Sequence, residues 1–249
     1  ATPSRDGMDA GQFWFSGFAD CLDVEHGEVQ TPVLHLFRNI MMDQGGPGKF
    51  RGGATVCQGY TFHNAKGPLR LIFNTSTSRM PHTPGLFGGY AGGINPFLEI
   101  RNTDWQPLFE NASEEIPSSY HELAASKRIT YKATQFVSED FFMNGDGVAN
   151  GSGSSGGYGD ALERDPSLVM DDVGKQITSP WAARTVYHVA FDEETLEVDY
   201  PQTSKLRDQE RERRKKQGKP YHDFMKEWLE RKPKEEIIRS YGPWPEGIK

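Results

Sequence analysis

A chain of 249 residues is long enough to bury a core, yet only 35% of it is hydrophobic, its mean hydropathy is −0.68, and 27 glycines with 16 prolines give loops a large share. The formal net charge of −7 sets a global field against nucleic acid and anionic membranes, and no stretch approaches the ~20 apolar residues of a membrane-spanning helix. Aromatic residues at 12%, concentrated at Phe13-Trp14-Phe15, Phe141-Phe142 and from Trp228 to Trp244, exceed what a disordered chain carries.

Taken in chain order, Val33–Phe37, Ala54–Tyr60 and Leu69–Phe73 are short apolar runs bounded by turn residues and read as β-strands. Between the first two lies Gly45-Gly46-Pro47-Gly48-Lys49-Phe50-Arg51-Gly52-Gly53, which breaks any regular element and leaves Lys49 and Arg51 on a tight loop. Such a loop either offers amides and cations to an anion or serves as a connector whose Arg51 pairs with a carboxylate. A second loop, Pro81 to Tyr90, leads into irregular sequence up to about residue 126, and Ile129–Thr134 gives a further strand.

The segment from Asn144 to Gly159 is dense in glycine and reads as a loop. Within it, Gly151 to Gly156 matches the G-x-G-x-x-G dinucleotide pattern, and Gly153 to Gly157 matches the G-x-S-x-G nucleophile elbow around Ser155. Both motifs require a strand running directly in and a helix opening directly out. Here the helix starts later, at Asp165-Pro166, where an N-cap carboxylate precedes a proline suited to the first turn; it is expected over 166–173 and closed by Gly174. Asp160, Glu163 and Arg164 sit beside the loop, and Asp160 and Asp165 are expected as structural caps.

Thr178-Ser179-Pro180-Trp181 repeats the cap-then-proline start, Val186–Phe191 turns strand-like, and Asp192–Thr195 reads as a turn. From Thr203 to Gln217 charges take over, with Glu210 four residues before Arg214 and Glu212 four before Lys216, the order that supports a solvated helix. The remainder, from Lys219, sets Tyr221, Phe224, Trp228, Ile237, Ile238, Tyr241 and Trp244 among charges and prolines, as an arm that holds a partner would. The fold class expected is α+β: a β-rich region over 1–202 with glycine-rich loops and short helices, incomplete without a partner chain, then a charged helical arm over 203–249 for subunit docking.

Chemistry is sparse. Cys21 and Cys57 form no C-x-x-C pair or disulfide framework and the start of the chain lacks a leader pattern, so the cytoplasm is the expected compartment. Neither Cys21 with His26 nor Cys57 with His63 has zinc-cluster spacing, so no metal site is expected. The adjacent acids Glu114-Glu115, Asp171-Asp172 and Glu193-Glu194 point apart and read as solvated surface.

The Gly45 to Gly53 loop, the stretch Gly156-Gly157-Tyr158-Gly159-Asp160-Ala161-Leu162-Glu163-Arg164-Asp165-Pro166, Asp172-Val173 and Ser179 to Tyr187, in that order, resemble the hydantoinase B/oxoprolinase family. Thr83-Pro84-Gly85-Leu86-Phe87-Gly88-Gly89-Tyr90, Arg5-Asp6-Gly7-Met8-Asp9-Ala10 and the charged tail look more like the ATP-dependent ketone carboxylases within it, the acetone and acetophenone carboxylases. The resemblance covers most of the chain but only the C-terminal part of the family's large subunit. It therefore implies a separately encoded partner supplying the N-terminal half, a split that favours the acetophenone over the acetone enzymes.

What the resemblance implies is a subunit of a complex that uses ATP to activate a ketone enol and bicarbonate and yields a β-keto acid such as benzoylacetate. ATP and Mg are expected in hydantoinase A-like partner subunits, any metal in another subunit, and no cofactor on this chain, which acts as scaffold or carboxylation-chamber wall. Lys49, Arg51 and Arg164 are the candidates for contacts to anionic intermediates. Gly45, Gly46, Gly48, Gly52, Gly53, Gly156, Gly157 and Gly159 are expected as loop and interface glycines facing a neighbouring chain. The alternatives are the B-type component of an ATP-dependent hydantoinase or 5-oxoprolinase and a non-catalytic assembly subunit.

Overall fold

The computed structural model describes residues 1–10, 23–74, 81, 83–126, 129–130, 137–232, 234–235 and 238–239. Within them α1 (Val24–Gln30) precedes β1 (Val33–Ile40), β2 (Val56–Phe62) and β3 (Leu69–Asn74), so the first three strands fall where short apolar runs placed them. The segment read as irregular holds β4 (Phe97–Ile100), α2 (Gln106–Glu110) and α3 (Tyr120–Ala125). Beyond it come β5 (Ile129–Thr130), β6 (Val137–Phe142), β7 (Gly147–Gly151), a 3-10 turn at Ala161–Glu163, α4 (Pro166–Gly174) and α5 (Pro180–Thr185). Two more helices close the described chain, α6 (Tyr200–Gln217) and α7 (Tyr221–Glu230). The result is the expected mixed α+β architecture.

The strands form, among the described residues, a five-stranded antiparallel sheet in the order β1-β2-β7-β4-β5 and a two-stranded ribbon β3-β6. β7 is the central strand, although it lies inside the segment expected to be a glycine loop. Its Gly147 shows why: a Cβ there would collide with the Tyr60 carbonyl of β2, so the residue that weakens strand propensity is the one the pairing requires.

Alternation along the strands gives the sheet two buried faces. Leu98, Ile100, Ala149, Cys57 and Phe37 pack on one side with Trp105 and Leu123 from the α2–α3 region. Phe97, Val148 and Phe62 pack on the other against Phe142 of the ribbon. Arg101 joins ribbon to sheet: its guanidinium lies 3.7 Å over the Phe142 ring and reaches Glu99 at 3.1 Å, Asp140 at 2.9 Å and Asp146 at 3.4 Å. Of the aromatic pair in β6, Phe142 is buried and Phe141 stands 57% exposed.

A separate cluster of Ala161, Val169, Met170, Ala183, Tyr187 and Val189 seats α4 and α5. Both helices start as their sequences dictate: Asp165 accepts from Ser167 N at 2.9 Å and Ser179 from Ala182 N at 3.0 Å, each followed by proline. Val186–Phe191 is not a strand. The Tyr187 and Val189 amides turn back to the Ala182 and Ala183 carbonyls, and His188 takes φ +50°. The alternating burial of Tyr187 and Val189 comes from packing under these helices, without a partner strand.

The chain divides into two compact units, Ala1–Leu206 and Arg207–Lys249, with the division inside α6. This helix begins at Tyr200 because Asp199 accepts from Gln202 N at 2.9 Å ahead of Pro201, the same cap-and-proline grammar. Glu210 pairs with Arg214 at 2.9 Å as its spacing predicts, while Glu212 takes Lys215 at 2.6 Å rather than Lys216. In the second unit, α7 carries Tyr221, Phe224, Trp228 and Leu229 at helical spacing, with Phe224 and Trp228 stacked at 5.9 Å. Phe13-Trp14-Phe15, Cys21, His82, Tyr131–Thr134, Ile237, Tyr241 and Trp244 lie outside the described residues.

Candidate functional site

The glycine-rich segments meet one another. Phe50, Tyr158 and Leu86 form a three-segment bridge: Phe50 and Tyr158 exchange backbone hydrogen bonds of 3.0 and 2.9 Å, Leu86 N donates to Gly157 O at 2.9 Å, and Gly159 N to Leu86 O at 2.9 Å. Further amides continue the weave, from Gly46 to Ser155 O and Gly157 to Tyr90 O, both at 2.9 Å, and from Tyr90 to Pro47 O at 2.7 Å. The N-terminal segment joins through Gly7 N to Arg51 O at 2.7 Å and Ala10 N to Ala54 O at 2.9 Å.

Close approach explains the composition. A Cβ on Gly52 would fall on the Ser155 carbonyl and one on Gly157 on the Pro47 carbonyl, so segments at this separation exclude any side chain. Gly45, Gly46, Gly48, Gly53 and Gly156 likewise abut backbone atoms of this same chain, and Gly159, at φ +75°, lies against the Lys49 side chain. Within this chain these glycines make room for the other glycine segments and, at Gly53, for the Met8 carbonyl of the N-terminal segment. Short side chains alone do not reveal which backbone they make room for.

β7 does run straight into the loop, which satisfies the strand half of both motif tests, but the loop leaves through the Tyr158 bridge and a 3-10 turn before α4 begins. Nor is Ser155 poised as a nucleophile: its Oγ accepts from Gly53 N at 2.9 Å. Ser154 Oγ accepts from Gly93 N at 2.6 Å and donates to the Gln44 carbonyl. Both hydroxyls tie segments together.

Beneath this network lies an ionic clasp. Arg51, 4% exposed, grips Asp9 through Nη1 at 2.7 Å and Nη2 at 3.1 Å, and Asp172 through Nε at 3.0 Å and Nη2 at 3.2 Å. Arg164, 1% exposed, grips Asp6 at 2.7 and 2.8 Å and Asp172 at 2.8 Å. Asp6 also accepts from Arg51 N at 2.7 Å and Asp9 from Ala54 N at 2.8 Å, so each carboxylate fixes backbone as well as charge. Burial pushes the Asp6 carboxyl up, but the hydrogen bonds and charges of Arg164 and Arg51 outweigh it and hold Asp6 below the usual range. Asp9 is lowered in the same way, against its own burial, by Arg51 and the Ala54 amide. The nearby Tyr187 hydroxyl is pushed up, chiefly by burial.

Arg51 and Arg164 are therefore buried cations that meet carboxylates and backbone carbonyls of this same chain, with Arg164 Nε the one buried donor of the pair that has no hydrogen-bond partner. Lys49 differs: its Nζ lies 3.4 Å from Glu163 in a pair about half exposed on both sides (47% and 54%). Asp160 accepts from Leu162 N at 2.9 Å and fixes the 3-10 turn. The sequence reading missed Asp6, Asp9 and Asp172. Asp172, which reads as surface beside Asp171 in the sequence, is 6% exposed; the signal for its burial is its position six residues after Pro166, on the helix face that also buries Val169. Cys57 is buried, its Sγ donates to Asn39 at 3.3 Å, and desolvation pushes its thiol up to about 11. Among the described residues no group of three or more His, Cys, Asp or Glu is placed to hold a metal ion, and no helix is long and apolar enough to cross a membrane.

Comparison with known proteins gives this geometry a context. The family model for hydantoinase B/oxoprolinase matches residues 1–161. The acetophenone carboxylase delta subunit of Aromatoleum aromaticum is 34% identical over 250 residues, covering 99% of this chain and 36% of the relative. The acetone carboxylase alpha subunit of Xanthobacter autotrophicus is 26% identical over 91% of this chain and 30% of its own length. The nucleotide-free structure of acetone carboxylase superposes with a TM-score of 0.76 at 27% identity, covering 92% of this chain and 31% of that one. An ATP-dependent caprolactamase from Pseudomonas jessenii, at 23% identity and a TM-score of 0.55 over 74% of this chain and 28% of its own, shares the fold. The chain thus spans about a third of the length of these relatives.

Proposed function

The chain belongs to the hydantoinase B/oxoprolinase family, and from that premise we propose that it serves as one subunit of an ATP-dependent ketone carboxylase complex. The reaction would join an aryl ketone of the acetophenone type to bicarbonate and release a β-keto acid such as benzoylacetate. The observation that carries this reading is the similarity to the acetophenone carboxylase delta subunit along nearly the whole chain.

Within the complex the chain acts as scaffold and chamber wall, and nucleotide is handled by hydantoinase A-like partner subunits. Two features support that division of labour. The buried guanidinium groups of Arg51 and Arg164 are bound by carboxylates, and both loop serines are bound by backbone. The glycine network is thereby a rigid surface, with Lys49 as the cation it leaves half in solvent. The arm beyond α6, with its exposed α7 aromatics, docks on another subunit.

The test is product identity. The complex purified through a tag on this chain should hydrolyse ATP when given acetophenone and bicarbonate and release an aryl β-keto acid. ATP turnover with hydantoin or 5-oxoproline alone, and none with the ketone, overturns the carboxylase assignment in favour of a B-type amide hydrolase component.

A further inference from the structure

The buried clasp joins two kinds of carboxylate. Asp172, on α4, takes Arg51 along its Nε and Nη2 edge at 3.0 and 3.2 Å and Arg164 through Nη2 at 2.8 Å. Its side chain is 8% exposed, and Val169 and Met170 of the same helix sit in a buried apolar cluster. Both guanidinium groups are thus set in place by the body of the fold. Their end forks, Nη1 with Nη2, are filled from elsewhere: Asp9 closes the Arg51 fork at 2.7 and 3.1 Å, and Asp6 closes the Arg164 fork at 2.7 and 2.8 Å. Each acid uses both oxygens, the planar two-oxygen fit that arginine offers to a carboxylate of any origin.

The stretch from Asp6 to Asp9 brings both of these acids, and polar contacts hold it. Gly7 N and Ala10 N donate to the Arg51 and Ala54 carbonyls, while the Arg51 and Ala54 amides donate to the Asp6 and Asp9 carboxylates. Gly7 passes close to the Gly53 backbone. Among the described residues, none of 1–10 joins a buried apolar cluster, and Met8, between the two acids, stands 80% exposed. A competing anion cannot replace apolar burial, but it can replace a hydrogen-bonded carboxylate. The Asp6 and Asp9 side chains are 30% and 26% exposed, so solvent reaches these pairs through the acids. Arg164 Nε, buried and without a hydrogen-bond partner, is a donor that Asp6 leaves unused.

We propose that Arg51 and Arg164 form a carboxylate-binding site whose forks are occupied in this state by the chain's own Asp6 and Asp9, and that the segment carrying them is a strap which a carboxylate ligand displaces. With the strap in place the cluster sets two guanidinium groups against three carboxylates; with it displaced, two cations face Asp172 alone and attract an anion. The ligand class is a small carboxylate that carries a second anionic or carbonyl oxygen, enough to engage both forks or one fork and the unused Nε. The built-in competitor lowers the apparent affinity by the fraction of chains in which the strap is closed. This inference stands on the geometry of the clasp and goes beyond the proposed carboxylase reading.

The test measures binding and not turnover, so the carboxylase assignment and this proposal can fail independently. Malonate is the probe because it places two carboxylates on one small molecule; its uncharged diamide and sodium chloride at matched ionic strength are the controls. Hydrogen exchange in the full chain is followed by mass spectrometry in peptides that report the amides of Gly7 and Ala10, whose bonds tie strap to body. Malonate should speed their exchange about tenfold while peptides of α4 keep their protection, and neither control should change it. In parallel, Asp6→Asn should bind malonate about tenfold more tightly than the unaltered chain in a calorimetric titration, because one competing carboxylate is gone. Asp9→Asn takes its place if Asp6→Asn no longer unfolds cooperatively, and the exchange result on the unaltered chain decides if neither variant folds. Absence of malonate binding, binding that leaves the Gly7 and Ala10 amides unchanged, an equal response to chloride, or a folded variant with unchanged affinity overturns the proposal.

Discussion

Replacing Asp172 by asparagine preserves shape and removes the charge that two buried guanidinium groups share. Asp172 accepts three hydrogen bonds, two from Arg51 at 3.0 and 3.2 Å and one from Arg164 at 2.8 Å, with all three side chains no more than 8% exposed. An asparagine supplies one neutral acceptor and turns an amide donor toward a guanidinium, leaving the clasp with two cations and the two remaining carboxylates of Asp6 and Asp9. Breaking a buried pair by removing one partner costs about 3–5 kcal/mol, which for a chain of this size lowers the thermal midpoint by about 6–20 °C. Asp171 is the internal control: it is 67% exposed and pairs with Lys175 at 4.0 Å, so Asp171→Asn should change stability by no more than about 0.5 kcal/mol. Urea unfolding of the full chain followed by tryptophan fluorescence compares the two variants directly. If Asp172→Asn loses less than about 1 kcal/mol, the clasp does not hold the network together and the argument is wrong.

The depressed carboxyls of Asp6 and Asp9 contribute stability that is fully present above the unfolded aspartate value of about 3.9 and is lost as pH falls through their lower folded values. The unfolding midpoint should therefore drop on acidification below about pH 4, and Asp6→Asn should flatten that dependence; a profile unchanged by the substitution would count against the pairing. Gly52→Ala places a methyl on the Ser155 carbonyl and should destabilise by about 1–3 kcal/mol or more, whereas Gly67→Ala, with nothing within 4 Å of its Cβ position, should be close to neutral by the same denaturation assay. Ser155→Ala should cost about 1 kcal/mol by removing the acceptor for Gly53 N, while the initial rate of the complex stays within about twofold, far from the loss expected of a nucleophile.

Features encoded within a few neighbouring residues are legible in the chain before it folds. The starts of α4 and α5 follow from Asp165-Pro166 and Ser179-Pro180, and β1, β2 and β3 from short apolar runs between turn residues. The sequence motifs were also enough to indicate the family, because the order of glycine segments survives in the text of the chain. β4 and β7 were not legible: β4 has only four residues, and β7 carries a glycine at each end, Gly147 because the Tyr60 carbonyl leaves no room for a side chain and Gly151 in tight contact with Cys57 and Pro96. The candidate cations were named from sequence, but their role was decided elsewhere. Arg51 meets Asp9 across 42 positions and Asp172 across 121, and Arg164 meets Asp6 across 158. A cap or a turn is fixed by local backbone geometry and can be read from its own residues. An ion pair between distant segments, or a glycine that makes room for one, is defined by a partner that only folding brings into contact, and so the clasp and the weave belong to the tertiary structure alone.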